Sequence, residues 1–272
     1  MTNDLTPKKV RTSSLRDFKA AGHKFACLTS YDHLTAGIFD EAGIEVLLVG
    51  DSAADNALGY SSTLPITVDE MVIFARAVAS AAKRSLVVVD MPFGSYEVST
   101  ASALENGIRI LKQSGAHAVK LEGGARVAPQ IEALTAAGVP VMAHLGFTPQ
   151  SVNQLGGFKV QGRGDAAEAL MADALAVQAA GAFALVLELV PAPLAAAISE
   201  ALEIPTIGIG AGNSTDGQIL VWTDFAGLTS QKPRKFVRQY ANLREVLSDA
   251  AKTYRNDVQS AGFPSVDESF AD

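Results

Sequence analysis

The chain has 272 residues, a hydrophobic share of 48% and a net charge of −7, close to the about 250 residues of one (β/α)8 barrel and short for two α/β domains. The acidic balance argues against nucleic acid as a partner, and no apolar run reaches the roughly 20 residues of a membrane span. The polar start MTNDLTPKKVRTSSL lacks a signal peptide's apolar core, and a lone cysteine, Cys27, excludes an internal disulfide framework and fits a reducing cytoplasm.

In chain order, the runs KFACLTSY (24–31), IEVLLVGDS (44–52), SLVVVDMP (85–92), AVKLEGG (118–124), VPVMAHLG (139–146), FALVLELV (183–190), IPTIGIGAG (204–212) and GQILVW (217–222) read as strands. Most are apolar on both faces, as parallel strands covered on each side must be. Between them lie helical stretches. Thr67 and Glu70 have capping-box spacing, and Met71, Ala75, Val78 and Ala82 recur on one face. Asp165 and Glu168 repeat that start before Leu170, Ala174 and Val177. Gly43, Gly115, Gly138 and Gly181 each stand between a helix and the next strand, where a left-handed residue ends the helix. Helix–glycine–strand units repeated in this way imply right-handed βαβ crossovers, and eight strands favour a closed (β/α)8 TIM barrel over a doubly wound sheet.

The barrel reading takes the whole chain as one domain, with a polar N-terminal arm over about 1–20. Residues from about Pro233 to Ala261 read as a charged amphipathic helical segment, and 262–272 as a surface tail. Gly146 to Gly164 lacks any periodic pattern. Loops that long in compact domains are usually functional, and this one follows strand 5, so it is expected over the C-terminal mouth.

Barrel active sites form at the C-terminal ends of the strands, and those ends carry Asp51, Asp90, Glu122 and Glu188, with Lys120, His144 and Ser52 beside them. Lys120 and Glu122 share one side of their strand, because strand periodicity is two. Four converging carboxylates need a compensating cation, more than one lysine supplies. A hard divalent ion such as Mg2+, held through oxygen, meets that need; Asp51 and Asp90 are the natural direct ligands, with Glu122 reaching it directly or through water. Scattered histidines and a single cysteine do not make a zinc site. His144 reads equally as a catalytic group or as a hydrogen-bonded histidine behind the site. Cys27, inside strand 1, reads as an apolar filler. GIGAGNSTDG (208–217) raises a rival, a phosphate cradle for a phosphorylated substrate, although the same glycines can simply let the chain turn or approach another backbone.

Seven segments carry a resemblance in order over about residues 8 to 262: VGDS (49–52), STLPIT (62–67), DMPFGSY (90–96), KLEGG (120–124), HLGFTPQSVNQLGGFKVQGRGD (144–165), LELVP (187–191) and IGIGAGNSTDGQILVW (207–222). Together they closely resemble the ketopantoate hydroxymethyltransferase family, within the phosphoenolpyruvate/pyruvate barrel superfamily. The resemblance implies transfer of a one-carbon unit from 5,10-methylenetetrahydrofolate to 3-methyl-2-oxobutanoate, giving 2-dehydropantoate for pantothenate synthesis. It implies Asp51 and Asp90 as magnesium ligands completed by Glu122. It also implies Asp51, Ser52, Asp90 and Lys120 as the 2-oxo acid contacts, Glu188 as general base, and large homo-oligomers, commonly decamers. The chain departs from many members at VGDSAAD (49–55) and YSSTLP (60–65), where they read VGDSLGM and YDSTLP; the metal and substrate positions are retained. The KKCGH-type motif of the superfamily's lyases is absent. A non-catalytic metabolite-binding barrel would not need the Glu188 base.

Overall fold

The computed structural model describes residues 8–230 and 232–271; residues 1–7 of the expected arm and residue 272 of the tail lie outside them. Eight parallel strands close into a barrel in chain order: β1 (Phe25–Thr29), β2 (Val46–Val49), β3 (Leu86–Asp90), β4 (Ala118–Glu122), β5 (Val141–Gly146), β6 (Ala184–Glu188), β7 (Thr206–Ile209) and β8 (Gly217–Leu220). Each lies inside a run read as a strand, and β8 pairs with both β7 and β1, which removes every sheet edge. The helices are α1 (Thr12–Ala20), α2 (His33–Glu41), α3 (Ala53–Asn56), α4 (Val68–Ala81), α5 (Thr100–Ser114), α6 (Ala128–Ala136), α7 (Val152–Leu155), α8 (Ala166–Ala179), α9 (Ala192–Ala201), α10 (Trp222–Phe225) and α11 (Leu243–Gln259). The fold is a (β/α)8 barrel. Among the described residues, no helix separates β7 from β8.

Alternation along the strands sorts the interior. Phe25, Cys27, Val46, Leu48, Val88, Ala118, Met142, Ala184, Val186, Ile207 and Ile219 form one buried cluster. Two residues further along their strands, Asp90 follows Val88, Lys120 and then Glu122 follow Ala118, His144 follows Met142 and Glu188 follows Val186. The barrel is therefore apolar below and charged at its C-terminal mouth. Below it, the stretch read as a polar arm contains α1, whose Leu15 and Phe18 join the same cluster together with Val10. Lys19 fixes this plug by pairing with Asp216 at 2.9 Å and donating to the Ser199 carbonyl at 2.7 Å.

The helix signals resolve unevenly. Thr67 and Glu70 form the reciprocal box, Glu70 N–H donating to Thr67 Oγ1 at 3.3 Å and Thr67 N–H to Glu70 Oε2 at 2.8 Å. The glycines at 43, 115, 138 and 181 all have positive φ, between 78° and 99°. Asp165 does not cap α8. Its backbone is already helical and its side chain makes no cap bond, because the Arg163 and Gly164 carbonyls take the N–H groups of Ala166 and Ala167. The loop after β5 is not structureless either: a 3-10 turn at Pro149–Ser151 leads into α7.

Asp40, buried at the end of α2, accepts the backbone N–H groups of Lys83, Arg84 and Ser85. Burial pushes its carboxyl up, but these bonds outweigh burial and hold it below the ordinary carboxylate range. Asp40→Ala strands those donors and is expected to cost about 2–3 kcal/mol. A lowered folded pKa places this stability above the unfolded value of about 3.9 and removes it as pH falls through the folded value. Denaturant unfolding at neutral and acid pH should therefore show the variant and the parent converging at the acid end.

The described chain divides into two compact units between Val221 and Trp222. In the second, the stretch read as helical from Pro233 is helical only from Leu243. Before it, Tyr240 N–H donates to the Phe225 carbonyl, and the first-turn N–H groups of Leu243 and Arg244 donate to the Ala226 and Gly227 carbonyls. Among the described residues, no helix is long and apolar enough to cross a membrane.

Candidate active site

Strand register lines up the charged groups. Asp90 on β3 lies opposite Lys120 on β4, Glu122 on β4 opposite His144 on β5, and Gly146 on β5 opposite Glu188 on β6. Asp51, Asp90, Lys120, Glu122 and His144 are all buried, and Glu188 keeps 14% of its side chain exposed. Contacts run around the mouth in sequence. Asp51 N–H donates to Asp90 Oδ2 at 3.0 Å, and Lys120 Nζ pairs with Asp90 Oδ1 at 2.9 Å. Lys120 Nζ also lies 3.2 Å from His144 Nδ1, which stands 3.4 Å from Glu122 Oε1. His144 Nε2 faces Glu188 Oε2 at 3.3 Å. Six of the seven residues singled out from sequence thus form one network. Ser52 stands beside it, its hydroxyl 2.7 Å from Tyr31 Oη, which also accepts from Thr29 Oγ1.

The charges explain one another. Burial, then repulsion from Asp90 and Glu122, pushes the Asp51 carboxyl well above its ordinary range. Burial lowers Lys120, yet Asp90, Glu122 and Asp51 overcome it and raise the ammonium. Burial and Lys120 lower His144, but hydrogen bonding to Glu122 and Glu188 outweighs both and lifts it to about 9. Four carboxyl groups thus share the mouth with one ammonium and one imidazole, and a divalent cation would offset the charge that burial there makes costly. Among the described residues, no three or more His, Cys, Asp or Glu side chains form a ready metal cage. The adjoining carboxylates of Asp51 and Asp90 are still the donor type that Mg2+ takes, one or two, with water or substrate oxygens at its remaining positions.

Two residues at the heart of the site carry no signal that separates them from their neighbours in sequence. Gln150, in the loop after β5, donates from Nε2 to Asp51 Oδ2 at 2.9 Å and to the Met91 carbonyl at 3.0 Å, and from its backbone N–H to Glu122 Oε2 at 3.0 Å. Tyr96, buried beneath it, donates to Gln150 Oε1 at 2.6 Å and accepts Glu122 N–H at 3.2 Å. The far part of the loop reaches the opposite side of the mouth, where Gln161 N–H donates to the Leu189 carbonyl at 2.9 Å. Leu189, directly after Glu188, is held at φ +50, and Ile209 O accepts its N–H at 2.9 Å. Gly146 completes this corner at φ +91, where a Cβ would lie 2.2 Å from the Glu188 carbonyl oxygen. Gly146→Ala therefore must displace Glu188, and a shift of order 1 Å is expected to lower kcat by about 10²-fold; steady-state kinetics on folded variant checks this.

The glycines of 208–217 have packing reasons. A Cβ at Gly208 would meet Thr215 Oγ1 at 2.7 Å, at Gly212 the Ala192 Cβ at 2.5 Å, and at Gly217 the Phe25 ring at 2.5 Å. Asp216 spends its carboxylate on Lys19 and Thr206. The segment that departs from other members, after Asp51, becomes α3, with Ala53 and Ala54 fully buried.

The sequence profile described as ketopantoate hydroxymethyltransferase matches residues 9–266. The chain belongs to that family. Among its relatives, a protein from Leifsonia xyli subsp. xyli named 3-methyl-2-oxobutanoate hydroxymethyltransferase is 57% identical, over 97% of this chain and 96% of its own. One of the same name from Mycobacterium tuberculosis H37Rv is 58% identical, over 96% and 93%. Solved structures with a similar fold include phosphonopyruvate hydrolase, at TM-score 0.62 and 14% identity over 97% of this chain and 92% of that one. Another is 2,3-dimethylmalate lyase, a PEP mutase/isocitrate lyase superfamily member, at TM-score 0.58 and 16% identity over 96% and 91%. At that identity these structures bear on the fold alone. The family's motifs fall at the barrel mouth: VGDS, DMPFGSY, KLEGG and LELVP bring Asp51, Asp90, Lys120, Glu122 and Glu188 to their places.

Proposed function

We propose that this protein transfers a one-carbon unit from 5,10-methylenetetrahydrofolate to 3-methyl-2-oxobutanoate, giving 2-dehydropantoate in pantothenate biosynthesis. The carrying observation is the buried network in which the Asp51–Asp90 pair and Glu188 stand at opposite ends, with Lys120 and His144 between them. The names of its relatives supply the substrate. Asp51 and Asp90 would hold Mg2+, with Glu122 reaching it directly or through water. A bound divalent cation would polarise the 2-oxo group and stabilise the enolate. Ser52 and Lys120 bind the 2-oxo acid, and the Lys120 ammonium offsets its carboxylate.

Glu188 takes the C3 proton, and the resulting carbon nucleophile bonds to the folate-borne methylene carbon; both bonds from that carbon to the folate nitrogens break, one water supplies the hydroxyl, and tetrahydrofolate leaves. His144, in contact with Glu188 and Glu122, orients the base and holds the two carboxylates apart. The reading includes a cytoplasmic homo-oligomer, a decamer in keeping with the family. Purified protein given the oxo acid, the folate and Mg2+ should form 2-dehydropantoate; a folded, metal-loaded protein forming none would refute the assignment.

The loop after β5 closes the reacting centre. It is tied by Gln150 at one side and by Gln161 at the other, and Phe158 packs on buried Phe147 with ring centroids 4.4 Å apart. Excising residues 153–162 is expected to lower turnover by about 10²-fold through lost positioning, while the barrel remains folded by circular dichroism. Unchanged turnover would remove the loop from the mechanism.

A further inference from the structure

We propose that Gln150, braced by Tyr96, is a positioning residue for the cation centre, and that it couples the loop after β5 to the bound cation. The inference rests on the reading that Asp51 and Glu122 serve a divalent ion. Its support is a hydrogen-bond chain that runs in one direction across three elements.

The direction follows from the inventory of donors. Tyr96 Oη accepts Glu122 N–H at 3.2 Å, and its single proton goes to Gln150 Oε1 at 2.6 Å in preference to the Glu122 carbonyl at 3.3 Å. With Oε1 so committed, Nε2 must donate, and both its partners are acceptors: Asp51 Oδ2 and the Met91 carbonyl. A reversed amide would set an oxygen against a carboxylate and a carbonyl, and would leave Tyr96 facing a donor. Only one orientation satisfies the group, and Gln150 and Tyr96 are both buried, where unpaired polar atoms are costly.

The consequence is reach. Gln150 engages one oxygen of each of two carboxylates, Asp51 Oδ2 through its side chain and Glu122 Oε2 through its backbone. These residues are far apart in sequence, Asp51 just after β2 and Glu122 at the end of β4, yet one loop residue sets the pose of both. Partners of this kind typically change metal affinity by about 10–100-fold when removed. Because the same residue anchors the loop, a cation that holds Asp51 and Glu122 in place also holds the loop.

The test uses the full chain with Mn2+ as probe and no substrate, reading Mn2+ affinity by electron paramagnetic resonance and loop protection by limited proteolysis. Wild-type protein should bind Mn2+ and become protected within residues 153–162. Asp51→Asn should lose Mn2+ binding; retained binding in that variant would refute the underlying site reading. Gln150→Met should weaken Mn2+ binding by about 10–100-fold and abolish Mn2+-dependent protection. Tyr96→Phe removes one hydroxyl and keeps the buried ring, so it remains informative should Gln150→Met fail to fold; it should weaken binding in the same direction. The proposal is overturned if either variant binds Mn2+ as tightly as wild type, and shows the same protection, while Asp51→Asn does not bind.

Discussion

Glu188→Gln is expected to slow exchange of the C3 proton of 3-methyl-2-oxobutanoate by about 10²–10⁴-fold, the usual contribution of a positioned base. Mn2+ binding should persist, because the Glu188 carboxylate faces His144, which is outside the proposed ligand set. The substitution is nearly isosteric and keeps an oxygen to face His144, so the backbone held by the Leu189 and Gly146 contacts stays in place. Losing exchange while keeping the metal would separate the base from the cation site. Loss of both would merge the two roles. Normal exchange with the metal retained would move the base to another residue.

Lys120→Met is expected to show the largest effect on stability. Its ammonium pairs with Asp90 at 2.9 Å, with both side chains at 5% exposure or less. Methionine replaces the aliphatic stem and leaves Asp90 beside Asp51 and Glu122 with its buried charge uncompensated, a change that typically costs about 3–5 kcal/mol. Two further results follow from the same charge count. Divalent cation should stabilise the variant more than the parent, since one competing positive charge is gone. At about 100 times its Kd, a ligand adds about 2.7 kcal/mol to any protein that binds it only when folded. Oxo acid binding should weaken, because the partner of its carboxylate is lost. Thermal unfolding with and without Mg2+ reads the first result and KM the second. Equal stability of the two proteins without metal would mean that Lys120 does not compensate the acids.

Much of this architecture is legible in local pattern. Eight β-rich runs, four of the gaps between them closed by helix-ending glycines, favour a barrel, and a barrel brings Asp51, Asp90, Glu122 and Glu188 together at its mouth. What stays hidden depends on closure. Gln150 meets Asp51 across 99 residues and Tyr96 across 54. Neither spacing has meaning until β2, β3 and the loop after β5 are neighbours. The helical turn in that loop is four residues long, too short to display a period. Asp165 shows the opposite failure, for the spacing of a capping box is present but neighbouring carbonyls have already taken its donors. The plug beneath the barrel is masked by composition. Arg11, Arg16, Asp17 and Lys19 make the segment read as polar, while Val10, Leu15 and Phe18 enter the core.

The most direct test of the central claim is proton NMR of 3-methyl-2-oxobutanoate in D2O with the purified protein, with and without Mg2+, first alone and then with tetrahydrofolate added. The C3 proton signal should be lost only when protein and metal are both present, and should persist with Glu188→Gln. A C3 signal that persists with Mg2+ and tetrahydrofolate both present would contradict enolisation of this substrate at the barrel mouth.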